Sequence, residues 1–286
     1  MPAVSAIPVN GIAGAALFSD SELTFFYTVT PDLLHPPLWE NTNPVPLLIA
    51  ASSCWNGQRL RALGWPTQAS GRFCDSGGFV FGRNRSCFPF DTSDYHVWLT
   101  AMQPNLAACL DLPCEVKIAA DNAEVARRQA WTLKAAQQLL SRPAPWAGVP
   151  VVQGRTLEQY ATHAGAYRAA GLDQPLMGIG SLCRRTRTGE IRAIVATVAE
   201  ELPGVRFHLF GVKLGLLKQR VALSATVASL DSGAWNGRFG SGIQMFNAEM
   251  RERGWTQRET AVRWALLRYA AKVTMALADT KQQAWC

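Results

Sequence analysis

Val149-Pro150-Val151-Val152-Gln153, then Leu157 to Ala170, then Leu176-Met177-Gly178-Ile179 read as strand, helix and strand. The outer runs are short, apolar and β-branched, which suits buried parallel strands, and Gly171 after Ala169-Ala170 is a helix C-cap signal. Working outward, the same alternation continues. Helices are expected at Asn122 to Leu140, Glu190 to Glu201 and about Gln257 to Leu277, with Thr188 and Thr256 as N-cap signals. Strands are expected at Leu23 to Val29, Val45 to Ala51, Arg72 to Phe81, Leu106 to Leu110, Val205 to Phe210 and Ser224 to Leu230. Eight strands with helical crossovers in 286 residues predict an α/β fold, a (β/α)₈ TIM barrel. The expected organisation is a single domain over 1–286, with residues 1–20 as an N-terminal arm. The first half is less regular, and Arg83 to Asp94 reads as loop. An open doubly wound sheet is the competing architecture, but no GxGxxG follows the first strand.

With 48% hydrophobic and 17% charged residues, the chain is not disordered, collagenous or coiled-coil. No apolar run is long enough to span a bilayer, and Met1 to Phe18 lacks the basic flank of a signal peptide. Seven scattered cysteines without CxxC pairs read as reduced thiols of a cytoplasmic protein. The 28 Lys and Arg against 21 Asp and Glu give +7. Every basic residue lies from Arg59 onward, while Asp20, Glu22, Asp32 and Glu40 precede it, so the later chain carries +11 and a polyanion becomes a candidate partner.

In a barrel, active sites collect at the C-terminal ends of the strands. The polar residues expected there are Asp75-Ser76 before Gly77-Gly78, Asp111, Gln153, Gly180-Ser181, Lys213 and Asp231-Ser232. Carboxylates converging on one mouth suit a reaction with one carboxylate nucleophile and a second carboxyl for proton transfer, as at a glycosidic carbon. Each Asp could equally cap a helix, and Asp-Ser-Gly-Gly is also an ordinary turn sequence. The four histidines lack mutual metal-ligand spacing, so neither metal nor cofactor is expected.

These residues occur in an order that resembles the transglycosylases exchanging guanine for a 7-deazaguanine in nucleic acid. The motifs are Asp75-Ser76-Gly77-Gly78-Phe79, Val152-Gln153-Gly154, Met177-Gly178-Ile179-Gly180-Ser181-Leu182, His208-Leu209-Phe210-Gly211-Val212 and Asp231. Asp231-Ser232-Gly233-Ala234-Trp235, Leu112-Pro113-Cys114-Glu115 and Gly180-Ser181-Leu182-Cys183-Arg184-Arg185 resemble the DNA-modifying branch of the queuine and archaeosine tRNA-guanine transglycosylase superfamily. Val80 stands where the tRNA enzymes have Gln, and their Cys-x-Cys-x-x-Cys plus His zinc site has no counterpart.

The resemblance implies a glycosyltransferase in which Asp231 is the nucleophile and Asp75 the acid/base. Ser76, Gly77, Gly78, Asp111, Gln153, Gly180 and Ser181 would hold the base. Arg184, Arg185, Arg187 and Lys213 would contact phosphates of a DNA whose target base is flipped out, with Trp235 beside that base. The expected partners are DNA and a free 7-deazaguanine base such as the 7-cyano derivative; a second copy of the chain or a helper protein stays open. The alternatives are a zinc-less tRNA transglycosylase and a catalytically silent nucleic-acid-binding subunit.

Overall fold

The computed structural model describes residues 23–34, 43–84, 87–217, 226–234, 265–266 and 268–277. In chain order its elements are β1 (Thr24–Val29), β2 (Val45–Ala50), α1 (Ala51–Cys54), β3 (Ala69–Asp75), α2 (Gly78–Asn84), α3 (Thr92–Met102), β4 (Leu106–Ala108) and α4 (Asn122–Leu140). Then come β5 (Ala147–Val149), β6 (Val151–Val152), α5 (Leu157–Ala169), β7 (Leu176–Ile179), α6 (Thr188–Glu201), β8 (Arg206–Leu209) and β9 (Val227–Ser232). Residues 265–266 and 268–277 are helical. The strands form one parallel sheet in the order β5-β4-β3-β2-β1-β9-β8-β7-β6.

The two ends of that order are halves of one run, interrupted only by Pro150, which has no N–H to give a ladder. The Cys109 N–H bonds to the Val149 carbonyl at 2.9 Å on one side, and the Gly178 N–H to the Pro150 carbonyl at 2.7 Å on the other. The sheet is thereby nearly closed into the expected TIM-like barrel.

Side chains alternate across each strand. Phe26, Leu48, Phe73, Leu106, Val149 and Val151 form one buried cluster, while the intervening Phe25, Tyr27, Leu47, Ile49, Cys74 and Ala107 join a larger cluster with the helices. The first set fills the barrel, as in other barrels whose interiors are packed layers. His208 belongs to that inner layer, with ring centroids 4.7 Å from Phe73 and 4.4 Å from Phe210.

The structure corrects several expectations. The third strand stops at Asp75; Gly77 takes φ +76°, and Phe79 to Phe81 wind into α2 instead of continuing as strand. Aromatic β-propensity loses there to packing of Phe81 against Phe88 and Phe90. The expected loop over Arg83 to Asp94 gives way to α3 at Thr92, whose start is fixed by a capping box between Asp91 and Asp94. Thr188 is not an N-cap: α6 begins on it, and Arg187 precedes the helix without a side-chain cap. The eighth barrel strand runs to Ser232, so Asp231 lies within it. Residues 1–20 and Thr256 lie outside the described residues.

Candidate active site

Asp231 projects from β9 at the mouth of the barrel, 5% exposed. Three donors surround its carboxylate. Thr28 Oγ1 donates to Oδ2 at 2.7 Å, the Gly211 N–H donates to Oδ1 at 2.8 Å, and His208 Nε2 stands 3.3 Å from Oδ1. The other ring nitrogen, Nδ1, is 2.8 Å from Ser229 Oγ. For a neutral imidazole, one tautomer satisfies both contacts: the Ser229 hydroxyl donates to Nδ1, and Nε2–H donates to Asp231.

Asp75 ends β3 in the same pocket, where its Oδ2 accepts the Gly77 N–H at 3.2 Å. Burial pushes its carboxyl up to about 8, and the charges of Asp111 and Asp231 push the same way. At neutral pH it carries a proton. Two carboxyls in one pocket are thus set apart, one surrounded by donors and one favoured as an acid.

A chain of side chains lines the rest of the pocket. Asp111 accepts from the Ser76 hydroxyl through Oδ1 and from Gln153 Nε2 through Oδ2. Gln153 Oε1 accepts from the Ser181 hydroxyl at 2.5 Å, and Ser181 Oγ accepts from the Cys114 N–H at 2.8 Å. Burial moves the Asp111 carboxyl up to about 6, opposed by the hydrogen bonds from Ser76 and Gln153. Behind this chain, Gln129 Nε2 donates to the Gln153 carbonyl at 2.6 Å. Burial lowers His163 to about 4, so the neutral ring accepts the Gln153 N–H at 2.9 Å.

The glycines at the mouth are constrained by space. A Cβ on Gly78 would run into the Asp111 carbonyl, and one on Gly180 into the Gln153 amide. Ser181 itself adopts φ +57°, unusual outside glycine, and thereby turns its hydroxyl toward Gln153.

Asp75, Ser76, Gly77, Gly78, Asp111, Gln153, Gly180, Ser181 and Asp231 therefore meet at one end of the barrel. The basic residues divide. Arg184, Arg187 and Lys213 are exposed. Arg185 is 13% exposed, donates to the Ser181 carbonyl at 3.1 Å and the Arg155 carbonyl at 2.9 Å, and pairs with Glu190. Trp235 lies outside the described residues.

Sequence reasoning missed four contributors. Thr28 lies two residues beyond Phe26 on the inner face of β1, a position that strand alternation marks. His208 reads as either an oriented pocket residue or a core residue until its partner Asp231 is placed. Arg128, 1% exposed, donates to the Pro113 carbonyl at 2.9 Å and the Gly82 carbonyl at 3.2 Å, tying the Asp111 loop to α2. Glu115, 6% exposed, lines the pocket.

Among the described residues, no three His, Cys, Asp or Glu group as a metal site, and no helix is long and apolar enough to cross a membrane. Comparison with known families supplies the decisive observation: the model of DpdA, DeoxyPurine in DNA protein A, matches residues 25–285. The chain belongs to this family. A search of curated proteins finds no match. DpdA proteins are the 7-deazaguanine DNA transglycosylases, so membership supports a DNA-modifying transglycosylase role with DNA as partner.

Proposed function

We propose that this DpdA-family protein exchanges guanine in DNA for a 7-deazaguanine base, such as the 7-cyano derivative, through a covalent glycosyl-Asp231 intermediate. The observation that carries the reading is the pair of unlike carboxyls in one pocket: Asp231 among three hydrogen-bonding groups, and Asp75 raised to about 8. An Asp231 oxygen attacks C1′ of the target deoxyguanosine while the C1′–N9 bond breaks through an oxocarbenium-like transition state. Asp75 gives its proton to the departing guanine. The incoming base then loses its N9 proton to Asp75, its N9 attacks C1′, and the C1′–Asp231 bond breaks. Each product leaves the two carboxyls as they began.

The base fits the polar chain by donor and acceptor matching. Asp111 accepts from the N1–H and exocyclic amine, and the Gln153 amide donates to O6. Gly77, Gly78 and Gly180 keep the backbone close to the flat ring, with Ser76 and Ser181 fixing the carboxylate and amide. The target base is extruded from the duplex, and Arg184, Arg187 and Lys213 meet the flanking phosphates. The catalytic unit is a single barrel domain.

The test incubates the protein with DNA and, separately, tRNA plus isotopically labelled 7-deazaguanine bases, followed by nucleoside digestion and mass spectrometry. Labelled nucleoside in DNA, a denaturation-resistant protein–DNA adduct, and loss of both in Asp231→Asn are expected. Incorporation into tRNA alone, or full exchange by Asp231→Asn, would overturn the reading.

A further inference from the structure

The seam of the barrel is built from short strands, β5 of three residues and β6 of two. β4 pairs with β5 up to Ala108↔Val149, β6 pairs with β7 up to Val152↔Ile179, and the strand order leaves β4 and β6 unpaired with each other. Asp111 and Gln153 lie beyond those registers, three residues after β4 and one after β6. The two side chains that meet the base edge in the proposed exchange therefore stand on opposite sides of the seam, where the sheet's own ladder does not fix their spacing.

Side chains of α4 reach both sides of it. Arg128, Gln129 and Thr132 are 1%, 8% and 0% exposed, and their spacing puts them on one face of the helix. Toward β4, Thr132 Oγ1 accepts the Leu112 N–H at 3.0 Å and Arg128 donates to the Pro113 carbonyl at 2.9 Å. Toward β6, Gln129 Nε2 donates to the Gln153 carbonyl at 2.6 Å and to the Gln159 carbonyl at 2.9 Å. The Gln153 N–H is held in turn by His163 of α5. A helix face turned to a sheet is ordinarily apolar, as Val125, Ala135, Ala136 and Leu139 are elsewhere on α4. Burying polar groups costs free energy unless each finds a partner, so apolar side chains of similar size would serve packing as well.

We propose that Gln129 and Thr132 are positioning residues for base binding: from one face of α4 they clamp the two sides of the barrel seam and hold Asp111 and Gln153 at the spacing a guanine-like base requires. The proposal rests on the base-exchange reading and adds the support behind its pocket. Neither side chain touches the base. Thr132 fixes the peptide that follows Asp111, and Gln129 fixes the peptide of Gln153 itself, whose amide donates to Asp111 across the seam. A base held by both groups at once binds well only if their separation is set beforehand.

Calorimetric titration of the full chain with 7-cyano-7-deazaguanine, with thermal melts of the same variants, tests this. Thr132→Val keeps the side-chain shape and removes the acceptor, while Gln129→Met keeps the length and removes the donor. Each should weaken base binding roughly threefold to tenfold, the size of one hydrogen bond. The double variant should lose little more than either single one, because opening one side already releases the pair. Thr132→Ser keeps the hydroxyl but loses a buried methyl, so it should melt below the wild type yet bind the base within about twofold of it. Base affinity that follows melting temperature across the single variants, is unchanged in both Thr132→Val and Gln129→Met, or falls additively in the double variant overturns the proposal and leaves base exchange standing. A wild type that binds no base overturns both. If Thr132→Val does not fold, Gln129→Met and Thr132→Ser decide.

Discussion

His208 Nε2 lies 3.3 Å from Asp231 Oδ1, at the end of a relay that begins at Ser229 and crosses two neighbouring strands. The register that pairs His208 with Ser229 makes this contact a property of the barrel rather than of a loop. His208 is also packed among Phe26, Phe73 and Phe210, so its ring has little freedom to leave Asp231. Rigid support of this kind orients a nucleophile before substrate arrives.

His208→Phe preserves the aromatic layer and deletes the hydrogen bond. Adduct formation in a single turnover should slow roughly ten- to hundredfold, the worth of one hydrogen bond to a charged group. Free-base affinity, measured by calorimetry, should hold. Equal losses in adduct formation and base binding would mark His208 as a packing residue alone.

Much of this site is visible in sequence because barrel geometry sends strand-end residues to one mouth. Asp75, Asp111, Gln153, Gly180 and Asp231 need only approximate strand limits to be placed there. His208 and Arg128 are not legible in the same way, since their meaning depends on partners 23 and 46 positions distant. The segment from Phe79 to Asp94 misleads for another reason: its aromatic run favours strand locally, while Gly77 and the Phe81, Phe88 and Phe90 cluster turn it into helix and connection. The missed α3 did carry a signal, an Asp91 to Asp94 capping box ahead of Tyr95, Trp98, Leu99 and Met102 at helical spacing.

The pH dependence of the proposed exchange follows from the roles it gives two carboxyls. Asp111 must be charged to accept from the base, so base affinity should fall as pH drops through about 6. Asp75 must hold a proton to expel guanine, so adduct formation should fall as pH rises through about 8. Exchange is expected to be bell-shaped between those limits. An alkaline limb that persists unchanged in Asp75→Asn with residual activity would assign it elsewhere.

Asp75 also trades stability for chemistry. Its folded pKa lies above the unfolded value, so above the ordinary carboxylate range the unfolded chain holds fewer protons at this position. Stability from this group therefore declines as pH rises from about 4 and reaches its full loss above about 8. Asp75→Asn should slow exchange sharply, leaving a residual rate, yet raise the melting temperature, with a gain that is small at pH 4 and grows to pH 8. A gain independent of pH would point to hydrogen bonding by the new amide instead.

Gly180 is expected to tolerate no side chain, because a Cβ would displace the Gln153 amide from Asp111 and Ser181. Gly180→Ala should weaken free-base binding more than tenfold, about 1.4 kcal/mol or more, with a smaller effect on melting. The same substitution at Gly171, which has φ +64° and no atom within reach of a Cβ, should cost stability through backbone strain and leave base binding alone. Matching effects at the two glycines would contradict a base pocket at Gly180.

The basic residues should separate by experiment as they do by structure. Arg187 and Lys213 are exposed on the segments that follow β7 and β8, and in the proposed complex each phosphate they neutralise releases condensed counterions. Replacing either by Ala should lower DNA affinity and reduce the slope of log affinity against log salt by about 0.7 to 0.9, the contribution of one contact. Arg185 has its guanidinium turned inward to the Ser181 and Arg155 carbonyls and to Glu190. Arg185→Ala should instead lower the melting temperature and weaken free-base binding through Ser181, while the salt slope stays unchanged. Fluorescence anisotropy across a salt series, with thermal melts of the same variants, distinguishes the two behaviours. A slope change at Arg185 without loss of stability would show that its internal bonds open to admit a phosphate.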